Sequence, residues 1–321
     1  MRYIKDLREG EIISEIYLCK SRQTMKTKAG KTYYSLVLQD KTGTIDGKIW
    51  DLNPGIQYFE ALQYIRVDGQ VSIFQNNNQL NIRKVRVAQE GEYDPAEYLP
   101  CSPYNNDQMY AKLLNLVESV QEPHLHALLE SFFVTRKEFV KAFRAGSAAK
   151  TVHHGFVGGL LQHTLSVAQL CDYYASQYPL INRDLLITAA LCHDIGKVYE
   201  LSPFPANDYT DSGQLLGHIV TGVMMVRDAA KRIEGFPPVL ARELEHCIIS
   251  HHGEMEYGSP KKPALIEAMA LHLADLTDAR IETMTELIDK SPNNLEWIGY
   301  NRFLETNVRR TSKQDPAKNG K

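Results

Sequence analysis

Histidine and aspartate residues recur over about 110 positions of this chain, each on or beside an apolar stretch with helical spacing. Neutral imidazoles and carboxylates are the ligands that suit divalent first-row metals. An aspartate among leucines needs a partner, because an unpaired buried carboxylate is costly. The pattern therefore predicts a metal site, with one ion or two, built from His163, His193, Asp194, His218, His251, His252 and Asp275.

The prediction depends on the set of residues and not on any single member. A lone inward histidine such as His163 is more often a core residue than a ligand. The pair His193-Asp194 is less ordinary, because it ends the apolar run 185–192 just before Gly196, a residue typical of helix ends. Two further histidines, His246 and His272, are expected to be structural.

Composition limits the class of protein. A length of 321 residues suggests two domains, and 43% hydrophobic residues suffice for buried cores. The five cysteines form no CxxC pair, which argues against a disulfide framework and a thiolate zinc site. The charged first residues and the absence of any apolar run of ~18 residues predict a cytoplasmic protein without a membrane span.

The first 88 residues have the alternation and turn signals of a small β-barrel. Strands are predicted at 11–20, 33–39, 44–50, 64–74 and 79–87, and a short helix at 54–62, where a proline stands at the first turn. This order matches an OB-fold, a Greek-key barrel that often binds oligonucleotides.

Charge and aromatic residues in this segment favour a nucleic-acid surface. It carries 14 Lys and Arg against 9 Asp and Glu, a net charge of +5. Basic side chains near aromatic rings suit a groove that follows a single strand and stacks its bases. The alternative is a solvated charged loop over aromatic residues of the barrel core. The candidate contacts are Lys20, Arg22, Lys26, Lys28, Lys31, Tyr33, Trp50, Phe74, Arg83 and Arg86.

The rest of the chain is predicted to be mostly helical. An acidic, proline-containing linker is predicted at 89–107, a helical domain at 108–308 and a flexible basic tail at 309–321. The fold class is therefore α+β multidomain, an all-β barrel followed by an all-α domain. Helices are predicted at 108–120, 123–133, 137–145, 159–177, 183–193, 214–233, 238–250 and 263–289.

The order of these histidines and aspartates resembles the HD superfamily of metal-dependent phosphohydrolases. The stretches around Gly158-Gly159-Leu160-Leu161-Gln162-His163, around His193-Asp194-Ile195-Gly196-Lys197 and at Ser250-His251-His252-Gly253 look like one branch of it. That branch is the YhaM-type 3′→5′ exoribonucleases, which join an OB-fold to an HD domain. The resemblance covers the chain to about Phe303.

The resemblance implies roles for individual residues. His163, His193, Asp194 and Asp275 match the ligands of a first metal, and Lys197 matches a lysine that contacts phosphate. His218 and one of His251 and His252, with His251 preferred, match ligands of a second metal that Asp194 bridges. The implied cofactor is Mn²⁺, with Co²⁺ or another first-row metal as a substitute. The role of proton donor is left open among His153, His154 and His252.

The resulting hypothesis is a 3′→5′ exonuclease that hydrolyses single-stranded RNA, with single-stranded DNA as a further substrate left open. One alternative is a phosphohydrolase acting on small nucleotides, although such an activity needs no OB module. Another is a nucleic-acid-binding protein without catalysis, although Lys197 and the intact ligand set argue against it. Exposed helical faces within 108–145 leave a homo-oligomer open.

Overall fold

The computed structural model describes residues 1–75, 77–150, 154–291 and 295–311. It divides into two units. The first comprises residues 1–101 with 204–206, and the second comprises 102–203 and the chain from 207 onward. The α+β class, with a β-barrel preceding a helical domain, is confirmed.

The first unit is a closed five-stranded barrel with the strand order β1-β2-β3-β5-β4. Its inward positions alternate along each strand, so Leu36 and Leu38 meet Ile65 and Leu80 in the core. Among the described strands of the barrel, β3 and β5 are the pair that runs parallel. The strands are β1 (Ile12–Lys26), β2 (Thr32–Asp40), β3 (Gly43–Ile49), β4 (Tyr64–Phe74) and β5 (Asn77–Val87).

Strand β1 closes the barrel because its two halves pair with different neighbours. Residues up to Leu18 pair with β4, and residues from Leu18 onward pair with β2. The register shifts between Cys19 and Ser21, and such a bulge bends a strand. Pairing with β2 also carries the strand to Lys26, six residues beyond its predicted end at Lys20.

The short helix predicted at 54–62 is wrong. The backbone makes a turn at 54–55 and then a bridge from Ile56 to Val85, where Gln57 N donates to Val85 O at 3.0 Å and Val85 N donates to Gly55 O at 3.0 Å. Phe59 is buried in the barrel core, and Arg22 donates to its carbonyl. Pairing with β5 therefore outweighs the local helix signal of the proline.

The barrel unit extends past the predicted boundary at Ala88. Tyr93 stacks on Tyr64 with ring centroids 3.9 Å apart, and Tyr98 meets Tyr64 edge to face. Tyr98 and Leu99 are buried. Part of the stretch expected to be a linker is thus packed on the barrel by its aromatic residues.

The second unit is a helical bundle in which α4 (Gly159–Gln177) and α5 (Arg183–Cys192) contribute the most residues to the core. Helix α5 is buried at every position from Leu185 to Cys192, so it lies at the centre of the bundle. The helices are α1 (Asn106–Glu118), α2 (Pro123–Glu130), α3 (Lys137–Ala145), α4 (Gly159–Gln177), α5 (Arg183–Cys192), α6 (Lys197–Glu200), α7 (Asp211–Ala230), α8 (Pro238–Ile249) and α9 (Ile266–Lys290).

The helical prediction does not hold at the end of the chain. Strands β6 (Trp297–Asn301) and β7 (Thr306–Arg309) form an antiparallel hairpin, closed by the turn at 302–305. Arg309 belongs to β7 and Arg310 is buried, so neither lies in a flexible tail. The remainder of the predicted tail, from residue 312, lies outside the described residues. None of the described helices combines the length and the apolar character of a membrane crossing.

Candidate metal centre

Five elements of the helical unit bring the predicted ligands together. His163 lies on α4, His193 and Asp194 follow α5, and Asp275 lies on α9. His218 follows Gly217, where a φ of 72° kinks α7. His251 and His252 stand just after α8. The kink in α7 and the ends of α5 and α8 therefore direct these side chains toward one centre. Straight, continuous helices would spread them along the helix axes.

The two carboxylate oxygens of Asp194 face different imidazoles. Oδ2 lies 3.4 Å from Nε2 of His163 and 3.3 Å from Nε2 of His193. Oδ1 lies 3.5 Å from Nε2 of His218 and 3.9 Å from Nε2 of His251. The aspartate thus stands between two groups of donor atoms.

The first group has the spacing of ligands around one ion. His163 Nε2 is 3.1 Å from Asp275 Oδ1 and 3.2 Å from His193 Nε2. Atoms bound at about 2.1 Å lie about 3.0–3.4 Å apart at octahedral or tetrahedral angles. In the second group, ligand atoms of His218, His251 and His252 lie within 4.8 Å of one another. Both members of the His251-His252 pair are therefore within reach of an ion there.

Every imidazole of the two groups uses Nδ1 to bond an oxygen. His193 bonds Ala190 O, His251 bonds Ile248 O and His252 bonds Tyr257 O, each at 2.7 Å. His163 bonds Asp278 and His218 bonds Glu200, both through carboxylates. Since Nδ1 must donate to these acceptors, Nε2 of each neutral ring keeps a lone pair for a metal.

Three polar atoms at the centre are buried and have no hydrogen-bond partner among the described residues: Asp194 Oδ1, His218 Nε2 and His251 Nε2. A buried polar atom without a partner costs about 1–3 kcal/mol. One cation between them would satisfy all three. The residues present therefore fit a divalent metal.

The electrostatics of the cluster are those of a cation site. Burial alone would raise the pKa of Asp194, but Lys197 and the adjacent imidazoles hold that pKa well below its usual range. Burial alone would lower the pKa of His163, but hydrogen bonds to Asp194, Asp275 and Asp278 raise it well above normal. Burial, with His252 and His193 nearby, lowers the pKa of His251 and keeps its ring neutral.

Two carboxylates of this arrangement were not among the predicted site residues. Asp278 Oδ2 accepts from His163 Nδ1 at 2.7 Å, and Glu200 Oε1 accepts from both the backbone N and Nδ1 of His218 at 3.0 Å. The sequence held a signal for Asp278, which follows Asp275 by three positions and so shares its side of α9. Such carboxylates set the tautomer and orientation of a ligating ring.

The predicted catalytic residues occupy different places. Lys197 Nζ lies 2.7 Å from Asp194 Oδ2, within the wall of a cavity of about 450 Å³ that the cluster also lines. His154 is buried and holds Asp278 Oδ2 at 2.8 Å, and it is absent from the cavity wall. Its position suits orienting Asp278 rather than meeting a substrate. His153 lies outside the described residues.

Several of the residues predicted to contact nucleic acid are exposed on the barrel unit. Tyr33 and Trp50 stack with centroids 4.6 Å apart, and Trp50 Nε1 donates to Asn81 at 3.0 Å. Lys48, which was not predicted, lies on β3 two residues before Trp50 and donates to Ser35 at 2.6 Å. The other exposed candidates are Lys20, Lys26, Lys28, Lys31, Phe74 and Arg83.

Two predicted arginines are occupied within the barrel. Arg22 is half-buried, bonds the Phe59 carbonyl and packs over the Tyr34 ring. Arg86 forms a bidentate pair with Glu92 at 2.7 Å. Both guanidinium groups therefore have partners within the barrel unit, a carbonyl and an aromatic ring for Arg22 and a carboxylate for Arg86.

Comparison with known proteins identifies the family. The HD domain family model matches residues 160–280. The 3′-5′ exoribonuclease YhaM of Geobacillus sp. is 34% identical over 88% of this chain and 86% of its own, and that of Listeria innocua is 34% identical over 88% and 90%. The second OB-fold domain of replication protein A from Methanococcus maripaludis aligns with 29% of this chain and 98% of its own, at 16% identity and a TM-score of 0.23. Because the two exoribonucleases match this chain over most of their length, the chain belongs to the family of the 3′-5′ exoribonuclease YhaM.

Proposed function

We propose that this protein is a metal-dependent 3′→5′ exoribonuclease that hydrolyses phosphodiester bonds of single-stranded RNA from the 3′ end. One observation carries the proposal: Asp194 lies between two groups of imidazole Nε2 atoms in a member of a family named for this activity. Phosphodiester hydrolysis needs a nucleophile, charge stabilisation and help for the leaving group.

Two ion positions fit the donor atoms. His163, His193, Asp194 and Asp275 would hold the first, and Asp194 with His218, His251 and His252 would hold the second. Nitrogen and oxygen ligands without cysteine suit Mn²⁺, our proposed ion, with Co²⁺ as a substitute. When bound, a pair of such ions lowers the pKa of water and stabilises charge on the attacking and leaving oxygens.

Lys197 is proposed to bind a non-bridging phosphate oxygen. Its ammonium group lies in the cavity wall beside Asp194, and Asp194 raises its pKa against the opposing effect of burial. A charged amine held in place before the substrate arrives stabilises developing negative charge without reorganisation.

The outer face of the barrel is proposed to bind the single strand upstream of its 3′ end. The Tyr33–Trp50 stack offers an aromatic surface, and Lys48 and Arg83 supply positive charge on the paired strands β3 and β5. Stacking on aromatic rings tolerates any base, and phosphate contacts make binding depend on salt. Single-stranded DNA is a further substrate to be tested on the same surface.

A homo-oligomer stays a prediction. Supporting it, the apolar side chains of Leu216, Val220 and Met224 on α7 are exposed. Light scattering after gel filtration measures the oligomeric state, and a monomer at micromolar concentration would contradict the prediction.

The test of the proposed function is degradation of a 5′-labelled single-stranded RNA by metal-stripped protein, with and without Mn²⁺. We expect a ladder that shortens from the 3′ end with Mn²⁺, its loss in Asp194→Asn and its retention in Asp228→Asn, an exposed control on α7. Retarded but intact RNA would support a binding protein. Hydrolysis of nucleotides alone would support a small-molecule phosphohydrolase.

A further inference from the structure

The cavity beside the predicted metal ligands, here called the metal cluster, has a second wall that the proposed chemistry does not use. One side holds His163, Asp194, Lys197 and Asp275. The other comes from α9, the loop after α8 and the turn of the C-terminal hairpin, and includes Tyr257, Arg280, Arg302, Phe303 and Glu305. A volume of about 450 Å³ is within the range of small-ligand sites, roughly 300–1,000 Å³.

Two arginines of this wall are available to a ligand. Arg280 and Arg302 are exposed, and within the described part of the chain neither forms a salt bridge. They reach the cavity from separate elements, α9 and the hairpin turn. Guanidinium groups bind phosphate through paired N–H donors, so this pair favours an anionic ligand beside the metal cluster.

The same wall exposes aromatic surface. Phe303 is 49% exposed and Tyr257 is 60% exposed, although both line a cavity. The turn that carries Phe303 is ordered by a hydrogen bond from Leu304 N to Asn301 Oδ1 at 3.0 Å and by the Asn301–Thr306 pair. An ordered turn that holds an exposed ring at a cavity offers a surface on which a base can stack.

Glu305 distinguishes this wall from a plain anion site. Its carboxylate lines the cavity with the two arginines and would repel inorganic phosphate. A nucleotide has hydroxyl donors for that carboxylate, a phosphate for the guanidinium groups and a base for the ring. The combined chemistry of the wall therefore fits a nucleotide better than a free phosphate.

We infer that this cavity binds the 3′-terminal nucleotide of the RNA, with its base on Phe303 and its phosphate held by Arg280 and Arg302 next to the metal cluster. The inference rests on the proposed function, because it places the end of the substrate at the proposed site of hydrolysis. It assigns recognition of the terminal nucleotide to the C-terminal hairpin.

Binding is measured first, without turnover. The full chain with Mn²⁺ is titrated with adenosine 5′-monophosphate and, separately, with inorganic phosphate. We expect the nucleotide to bind at least tenfold more tightly than phosphate. Phe303→Ala should weaken nucleotide binding roughly 5- to 150-fold, and Phe303→Tyr should retain it.

Arg302→Ala should weaken the binding of both ligands about tenfold. Arg242→Ala, an exposed control on α8, should change neither. Nucleotide affinity unchanged by Phe303→Ala overturns the inference.

Cleavage then tests the placement. Two 5′-labelled RNAs end in adenosine or in an abasic ribose, and kcat/KM is compared for each. We expect wild type to prefer the adenosine end, and Phe303→Ala to lose the preference. A preference that survives Phe303→Ala overturns the inference while the exonuclease stands. Nucleotide binding that depends on Phe303, in a protein that shortens neither RNA, overturns the exonuclease and leaves the nucleotide site.

Discussion

The carboxylate of Asp278 accepts a hydrogen bond from Nδ1 of His163 at 2.7 Å, across 115 residues of sequence. The same oxygen holds His154 Nε2 at 2.8 Å. Asp278 therefore fixes which ring nitrogen of His163 faces Asp194 and Asp275. His163 and His154 in turn hold the pKa of Asp278 below its usual range despite burial, so the carboxylate stays ionised.

Replacing Asp278 with Asn should weaken metal binding without removing a ligand. The amide is a poorer acceptor for the ring N–H, and loss of such a partner typically costs 10–100-fold in metal affinity. Competition titration with a Mn²⁺ indicator measures the change, with Asp228→Asn as the control. Unchanged metal affinity would show that His163 does not depend on its hydrogen bond to Asp278.

Removing the second group of imidazoles should leave the first ion in place. His218→Gln deletes a donor that faces Asp194 Oδ1, whereas His163 and His193 stay near Oδ2 and Asp275 stays near His163. We expect the metal content to fall from two ions to one per chain, measured by elemental analysis after dialysis. A content of two in the variant would mean that His251 and His252 suffice, and zero would mean that the sites are inseparable.

Metal affinity should rise with pH through neutrality. The raised pKa of His163 means that in the metal-free protein its ring still carries protons on both nitrogens above pH 6.5. The proton on Nε2 must leave before that nitrogen can bind a metal. The affinity should therefore increase by about tenfold per pH unit until the pH passes that pKa. Calorimetry in buffers of different ionisation enthalpy counts the protons released. Zero protons at pH 7 would contradict the protonated ring.

Gly196→Ala should destabilise the helical unit. A Cβ at Gly196 would lie 2.1 Å from the His218 carbonyl oxygen, so α6 and α7 must separate, at a cost of about 1–3 kcal/mol. Gly222→Ala is the matched control, because its Cβ meets nothing closer than 3.7 Å and alanine favours a helix. Thermal unfolding of both variants measures the difference. Equal melting temperatures would show that the contact is not tight.

Trp50→Ala should weaken binding of single-stranded RNA more than Trp297→Ala. Trp50 stacks with Tyr33 on the barrel, whereas Trp297 is an exposed ring of the hairpin outside the cavity wall. Loss of one stacking base contact costs about 1–3 kcal/mol. Fluorescence anisotropy with a labelled oligonucleotide measures both variants, and an equal loss would place the binding surface elsewhere.

The roles of Lys48 and Arg22 can be separated by salt. Lys48→Ala should lower the slope of log affinity against log salt by about 0.7, as expected for one phosphate contact on a single strand. Arg22→Ala should leave that slope unchanged, because its guanidinium packs over Tyr34 and bonds Phe59 within the barrel. A reduced slope for Arg22→Ala would return it to the RNA surface.

Local patterns predicted much of this protein. The alternation of the first strands and the helical spacing around His163 and Asp275 depend on residues a few positions apart in the sequence. Patterns of this kind predicted the observed bounds of α3 and α4. The pattern failed at 54–62, where pairing with the distant strand β5 outweighs the local preference, and at the C-terminal hairpin, where two neighbouring strands pair across the turn at 302–305.

By itself, the sequence determined which side chains are available as ligands, because His193-Asp194 and its companions lie on apolar segments that must be buried. Only the tertiary structure decided how they are used. The ring nitrogen that faces the centre depends on acceptors such as Asp278 and Glu200, which fold in from other elements. The partnering of Arg22 and Arg86 depends in the same way on Phe59 and Glu92. Hydrogen bonds act over about 3 Å in space whatever the separation along the chain, and for that reason spacing alone does not reveal them.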